Sequence, residues 1–374
     1  MVNHSWLADF QEYCLTNGIP FVSYRLPREQ TPVTLISNSG VQKFDETDLH
    51  QSGFIMAPFL KNRAKLWLKA DQILTGEKIS LFDLEAIKPE AYGKNNILND
   101  DLLPQTITKQ AYLDKISRLK DAINSGRLNK VVLSRPVLTG FNRMEESPLI
   151  FNQLIKTLPD AFIYLLSFPG AGTWLGASPE LLLKANFHST DEPATLETMA
   201  LAGTRQSGSH KEWGIKEIDE QEWVSKYIIQ KLNQSGCFNI EQEKTHTIAA
   251  GNVEHLRTDF KALLNRSRIM ELADELHPTP AVCGWPTITA LESILSVENY
   301  DRSFYTGYLG PVNLNSQTSL FVNLRCMQIA EKNASLYVGG GITSGSDPLK
   351  EWEETIIKSH TLLAQIEKIR NLAS

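Results

Sequence analysis

Short apolar runs that suit β-strands come in clusters along this chain, and the helical stretches are grouped between the clusters instead of alternating with single strands. Five runs crowd the middle: Val131–Leu138, Phe162–Phe168, Trp174–Ala177, Leu181–Ala185 and Thr195–Leu201. Three more follow, Tyr305–Val312, Ser319–Ile329 and Ser335–Ile342. Helical spacing marks Lys109–Ser125, where Ala111, Leu113, Ile116, Leu119 and Ile123 recur and Gly126 is placed to end the helix. Lys211–Leu232, Phe260–Leu276 and a last stretch from Pro348 to about Arg370 also read as helical. Regular βαβ units would imply a parallel sheet, whereas clustering implies an α+β fold with mainly antiparallel sheets. The most polar, turn-rich stretch is Lys88–Gln105, but it lacks linker character. Residues 1–105 are therefore expected to belong to the same large domain as 106–374, and no chemistry is assigned to them.

Composition excludes several classes of function. With 42% apolar and 21% charged residues the chain is of ordinary globular type. A net charge of -6 and the lack of any Lys/Arg block give no reason to expect nucleic acid. The first residues do not resemble a signal peptide, and no apolar run approaches the ~18 residues that span a bilayer. Cys14, Cys237, Cys283 and Cys326 are scattered, as expected of reduced thiols in a soluble, cytoplasmic protein. The eight histidines show no zinc or iron spacing, so His255 and His277 are expected to be structural or to adjoin a substrate. The glycines and acids carry no GxxxxGK[ST] phosphate loop.

Several side chains could still carry chemistry. In the last helix Asp347 can cap, Pro348 suits the first position, and Glu351, Glu354 and Lys358 share one face. That face is either solvated or aimed at a site, and the glycines of YVGGGIT (337–343) just before it would let backbone N–H groups approach an anion. Glu220 falls on the apolar stripe of its helix with Val224, Tyr227 and Ile228. A carboxylate facing a core needs a partner, and a hard cation shared by two such helices is one. Arg325 reads as mid-strand, opposite the face formed by Leu320, Val322, Leu324 and Cys326, and is either paired structurally or aimed at a carboxylate. On composition alone Lys130 is an edge charge and Glu180 an exposed turn acid.

Taken together, eight segments are more specific than any one. KVVLSR (130–135), GASPELLL (176–183), LAGTR (201–205), HPTPAVCG (277–284), YTGYLG (305–310), LRC (324–326), GGGIT (339–343) and EWEETIIK (351–358) follow one another over about 230 residues. In this order they resemble the chorismate-utilising enzymes, which include anthranilate, aminodeoxychorismate, isochorismate and salicylate synthases. The resemblance implies a single α+β domain of two packed, mainly antiparallel sheets with helices outside and the active site at one end of the sandwich. It also implies chorismate as substrate and Mg2+ as cofactor.

By motif, Glu220 and Glu354 match the family's magnesium-binding glutamates, although members commonly have Glu-His where this chain has Glu220-Gln221. Arg325, Lys358 and the backbone at Gly203, Thr204 and Gly339 match its grips on the two substrate carboxylates. Tyr305 and His255 join the implied substrate site, and Glu180 matches the acid beside the departing C4 hydroxyl. Three positions bear on the reaction. Lys130 matches the lysine that activates water where ammonia-using members carry glutamine. Ala202 lacks the attacking lysine of aminodeoxychorismate synthases, and Ala281 matches the alanine found where reaction stops at isochorismate. Water attack at C2 with loss of the C4 hydroxyl is thus implied, with no amidotransferase subunit, a monomer or weak homodimer, and menaquinone as the expected pathway. Such a base requires the lysine pKa to fall from ~10.4 toward ~8, and the acid requires the opposite shift.

Overall fold

The computed structural model describes residues 6–45, 48, 50–76, 98–189, 192–208, 212–250 and 253–373. Most of the polar stretch Lys88–Gln105, and the expected helix start at Lys211, lie outside these residues. Two antiparallel sheets dominate. The first runs, in spatial order, β15 (Gly284–Trp285), β7 (Lys130–Gly140), β19 (Asn333–Ile342), β18 (Cys326–Ile329), β9 (Gly172–Ser178), β8 (Phe162–Phe168), β1 (Phe21–Arg25), β2 (Val33–Ile36) and β6 (Gln72–Thr75). The second runs β12 (Phe238–Gln242), β14 (Val253–Leu264), β11 (Ala194–Gln206), β10 (Leu181–Asn186), β17 (Gln317–Val322), β16 (Tyr308–Val312), β4 (Gly53–Ala57), β5 (Leu66–Lys69) and β3 (Val41–Lys43), with β13 (His246–Ala250) also paired to β14.

The inner faces meet in an apolar layer in which Val22, Tyr24, Phe162 and Tyr164 of one sheet oppose Phe54, Met56, Leu68 and Phe321 of the other. Phe162 and Phe321 stack across it with ring centroids 4.2 Å apart. Helices cover the outer faces. On the first sheet lie α1 (Trp6–Asn17), α3 (Arg143–Thr157) and α7 (Pro348–Ala373), while α2 (Lys109–Asn124) and α6 (Thr287–Val297) pack near β7. On the second lie α4 (Ile215–Gln234) and α5 (Ile269–Leu276). Each buries one stripe, as Tyr112, Ile116, Leu119 and Ile123 do in α2, whose Thr108 side chain caps Ala111 N–H. The α+β class with two packed antiparallel sheets and outer helices is as the resemblance implied. Among the described residues no helix is long and apolar enough to cross a membrane.

Several elements differ from the sequence reading. The expected helix Phe260–Leu276 is the end of strand β14 followed by the shorter helix α5, because Val253–Leu264 buries residues in near alternation as a strand does. Helices α3 and α6 were not anticipated. The expected strand Ser319–Ile329 is two strands in different sheets, broken at Arg325, whose φ is 47°. Arg325 is therefore not a mid-strand residue.

Candidate active site

That break matters because the chain changes sheets there. It crosses from the second sheet to the first between β17 and β18, and from the first to the second between β9 and β10, at Ser178–Glu180. The two crossings are tied together: Val322 N–H donates to Glu180 C=O at 3.0 Å, and Ala177 N–H to Arg325 C=O at 3.0 Å. Peptide groups that leave a ladder must find partners elsewhere, and here each crossing supplies them to the other. Beside these crossings, at one end of the sandwich, opens a cavity of about 920 Å3, its mouth included. The twelve residues that the resemblance assigns to catalysis, substrate or metal all line it: Lys130, Glu180, Gly203, Thr204, Glu220, His255, Ala281, Tyr305, Arg325, Gly339, Glu354 and Lys358. Ala202 lines it too.

Lys130 is not an edge charge. Trp285 of β15 pairs beside it, its side chain is 2% exposed, and its Nζ lies 3.1 Å from Glu220 Oε2. Glycine at 341, on the neighbouring strand, makes room: a Cβ there would lie 2.9 Å from Lys130 Cε and 3.1 Å from Glu220 Oε2. Glu180 is not an exposed turn acid either, being 3% exposed. Burial pushes its carboxyl up to about 8, against the opposing pull of Lys130. An acid and a base type thus face one cavity, with the acid protonated at neutral pH.

The carboxylates come from two helices. Glu354 of α7 pairs with Lys358 at 2.6 Å, one turn on, and Lys358 also donates to Gly339 C=O at 2.9 Å. Burial raises the Glu354 pKa, but the charge and hydrogen bond of Lys358, together with the nearby Lys216, outweigh it and hold the carboxylate below its ordinary range. The helix face is half sheltered, and Glu351 on it is only 3% exposed. Sequence reasoning missed Lys216 and Glu217, both of which line the cavity. Lys216 bridges the helices, at 2.7 Å from Glu351 and 3.9 Å from Glu220. A signal for Glu217 was available: Glu217–Glu220 repeats on α4 the spacing of Glu351–Glu354 on α7.

The remaining wall is built on a bulge. The register of β11 with β14 shifts between Ala202 and Thr204, and Gly203 takes φ +68°, a conformation that glycine reaches without strain. His255 Nδ1 lies 2.9 Å from Gly203 C=O, which can only accept, so Nδ1 carries the proton. Its Nε2 is then an acceptor; it is buried without a hydrogen-bond partner among the described residues. Burial and the nearby Arg325 lower this imidazole to about 4, which keeps it neutral. Arg325 Nη1 donates to Thr361 Oγ1 at 2.8 Å, and burial lowers the guanidinium from its ordinary value. His277 is elsewhere, its Nε2 within 3.1 Å of Pro58 and Phe59 carbonyls, and is structural.

Among the described residues no three His, Cys, Asp or Glu side chains cluster as a metal cage. The acidic side chains that face the cavity nonetheless offer carboxylate oxygens, with Glu220 and Glu354 on separate helices. Mg2+ commonly takes one or two protein carboxylates and fills its other positions with water and substrate oxygens, so these residues fit it.

The family model described as chorismate binding enzyme matches residues 51–367, most of the chain. The chain belongs to this family. Isochorismate synthase EntC of Escherichia coli (strain K12) is 27% identical over 279 residues, covering 72% of this chain and 69% of the relative. Isochorismate synthase DhbC of Bacillus subtilis (strain 168) is 31% identical over 265 residues, 64% of each chain. Among solved structures, that of MenF, the menaquinone-specific isochorismate synthase from Escherichia coli, superposes with a TM-score of 0.73 at 22% identity, covering 96% of this chain and 90% of that one. At that identity the likeness speaks to the fold.

Proposed function

We propose that the chain converts chorismate to isochorismate, with water as nucleophile. The observation that carries this reading is Lys130, an amine buried in the same cavity as the protonated acid Glu180. The similarity to EntC and DhbC supports it. Lys130 takes a proton from a water that attacks C2 of the ring, the two conjugated ring double bonds shift together toward C4, and Glu180 protonates the C4 hydroxyl, which leaves as water. One water enters and one departs, so the reaction is an isomerisation.

Arg325 and Lys358 bind the two substrate carboxylates with the backbone of Gly203, Thr204 and Gly339, and Tyr305 closes the wall beside Gly339. His255 Nε2 accepts a hydrogen bond from a substrate hydroxyl or from water. Glu220 and Glu354 would hold Mg2+, which when bound supplies positive charge that anchors the substrate's carboxylate. Ala202 and Ala281 leave the wall without a nucleophile or extra bulk, which favours stopping at isochorismate. No amidotransferase partner is needed for a reaction with water.

Replacing Lys130 tests the role of the base. Lys130→Gln keeps the side chain polar but removes the amine, and turnover is expected to fall by about 10²–10⁴-fold. A variant that forms isochorismate as fast as the wild type would show that the base is another group.

A further inference from the structure

Helix α4 does more than present Glu220. The next residue, Gln221, is 2% exposed, and its amide reaches the sheet. Its Oε1 accepts from Ala202 N–H at 2.9 Å, while Nε2 donates to Ala200 C=O at 3.0 Å and to Thr258 Oγ1 at 2.9 Å. The register of β10 with β11 ends at Glu197, so Ala200 and Ala202 have no β10 partner. Alternate residues of a strand turn their peptide groups to the same edge, and the Gln221 amide offers one acceptor and one donor there, as a neighbouring strand would. Because Thr258 lies opposite Ala200 on β14, the same amide ties both strands together.

The bulge begins one residue later. Glu217, one turn before Gln221, braces it, since a Cβ on Gly203 would lie 3.0 Å from Glu217 Cβ. Gly203 C=O in turn holds the Nδ1–H of His255, and Thr204 Oγ1 lies 3.3 Å from the same nitrogen. One helical turn therefore carries Glu220 and also fixes the β11 bulge that presents Gly203 and Thr204 and holds His255 of the neighbouring β14.

We infer that Gln221 is a positioning residue, which sets the Gly203–Thr204–His255 wall relative to Glu220 and thereby the affinity for the substrate carboxylate. This rests on the reading of that wall as a carboxylate site. An apolar side chain at 221 would leave Ala202 N–H and Ala200 C=O without their partners, and the bulge would shift to satisfy them. A displacement on the order of 1 Å is enough to weaken a site built for a rigid, flat substrate.

The test compares wild type, Gln221→Leu and Gln221→His, assayed for isochorismate formation from chorismate with Mg2+. Gln221→Leu is expected to raise KM about tenfold or more while kcat stays within about threefold. Gln221→His, with one ring N–H and one lone pair, is expected to return KM to within about threefold of wild type. A Leu variant with wild-type KM overturns the inference, even if it melts earlier, because the residue would then be structural alone. Should that variant not fold, Thr258→Val decides instead, set beside Thr245→Val, because the first removes one of the three Gln221 bonds together with the Thr245 contact and the second removes that contact alone: a KM raised several-fold more by Thr258→Val supports the role, and an equal KM in the two overturns it. Wild type that leaves chorismate unconverted overturns the functional reading itself, before any variant is compared.

Discussion

Glu180 holds its proton because the fold buries it, and that has two consequences. In the unfolded chain the carboxyl titrates near ~4.3, whereas in the folded chain it does so at about 8. Across that window the folded state binds a proton that the unfolded state has lost, so this residue penalises folding progressively as pH rises. Glu180→Gln removes the penalty. Thermal unfolding should show the variant more stable than wild type near about pH 8, with the difference vanishing toward about pH 4. The same substitution removes the acid, and turnover should drop by about 10²–10⁴-fold. Wild-type kcat/KM should also decline above about pH 8, as Glu180 of the free enzyme loses its proton. The family motif points to an acid at this position, but its burial was not legible from composition: a Ser-Pro-Glu turn looks exposed, and the crossing strand that ties it down lies more than 140 residues on.

Elements differ in how plainly the sequence declares them. Helix α7 was legible from its start, and Asp347 Oδ1 does accept from Leu349 N–H at 2.9 Å and Lys350 N–H at 3.1 Å. Asp347→Ala should lower stability by about 1 kcal/mol, seen as an earlier denaturant midpoint with unchanged slope. The glycines before α7 suggest an anion-binding turn, yet they lie within β19, and Gly341 leaves space for two side chains of the site. Gly341→Ala should therefore keep the strand but displace Lys130 and Glu220, with activity down about tenfold or more and circular dichroism unchanged. Strand β14 was misread because its apolar residues run on into those of α5 without a strong break. Arg325 was misread because alternation continues through Leu324 and Cys326 although the chain changes sheets between them. Local periodicity reports which residues are buried, not which sheet buries them.

At the scale of the whole molecule, the N-terminal quarter looked chemically silent, and structurally it is not separate. β1 pairs with β8, β4 pairs with β16, and Val22, Tyr24, Phe54 and Met56 fill the layer between the sheets. A chain lacking residues 1–97 would bare two strand edges and open that layer, so it should aggregate and lose cooperative unfolding in a denaturant titration. The site depends on the same architecture, since its residues come from both sheets and from helices on opposite outer faces. The motifs named the residues of the site, but only the double crossing explains why segments from 130 to 358 converge on one cavity. Whether this cavity adds water to chorismate and stops there is decided by product analysis of the purified protein incubated with chorismate and Mg2+ without ammonia. Isochorismate as the sole product, with no pyruvate released, is the predicted result. Salicylate with pyruvate, or no conversion until ammonia is supplied, would contradict it.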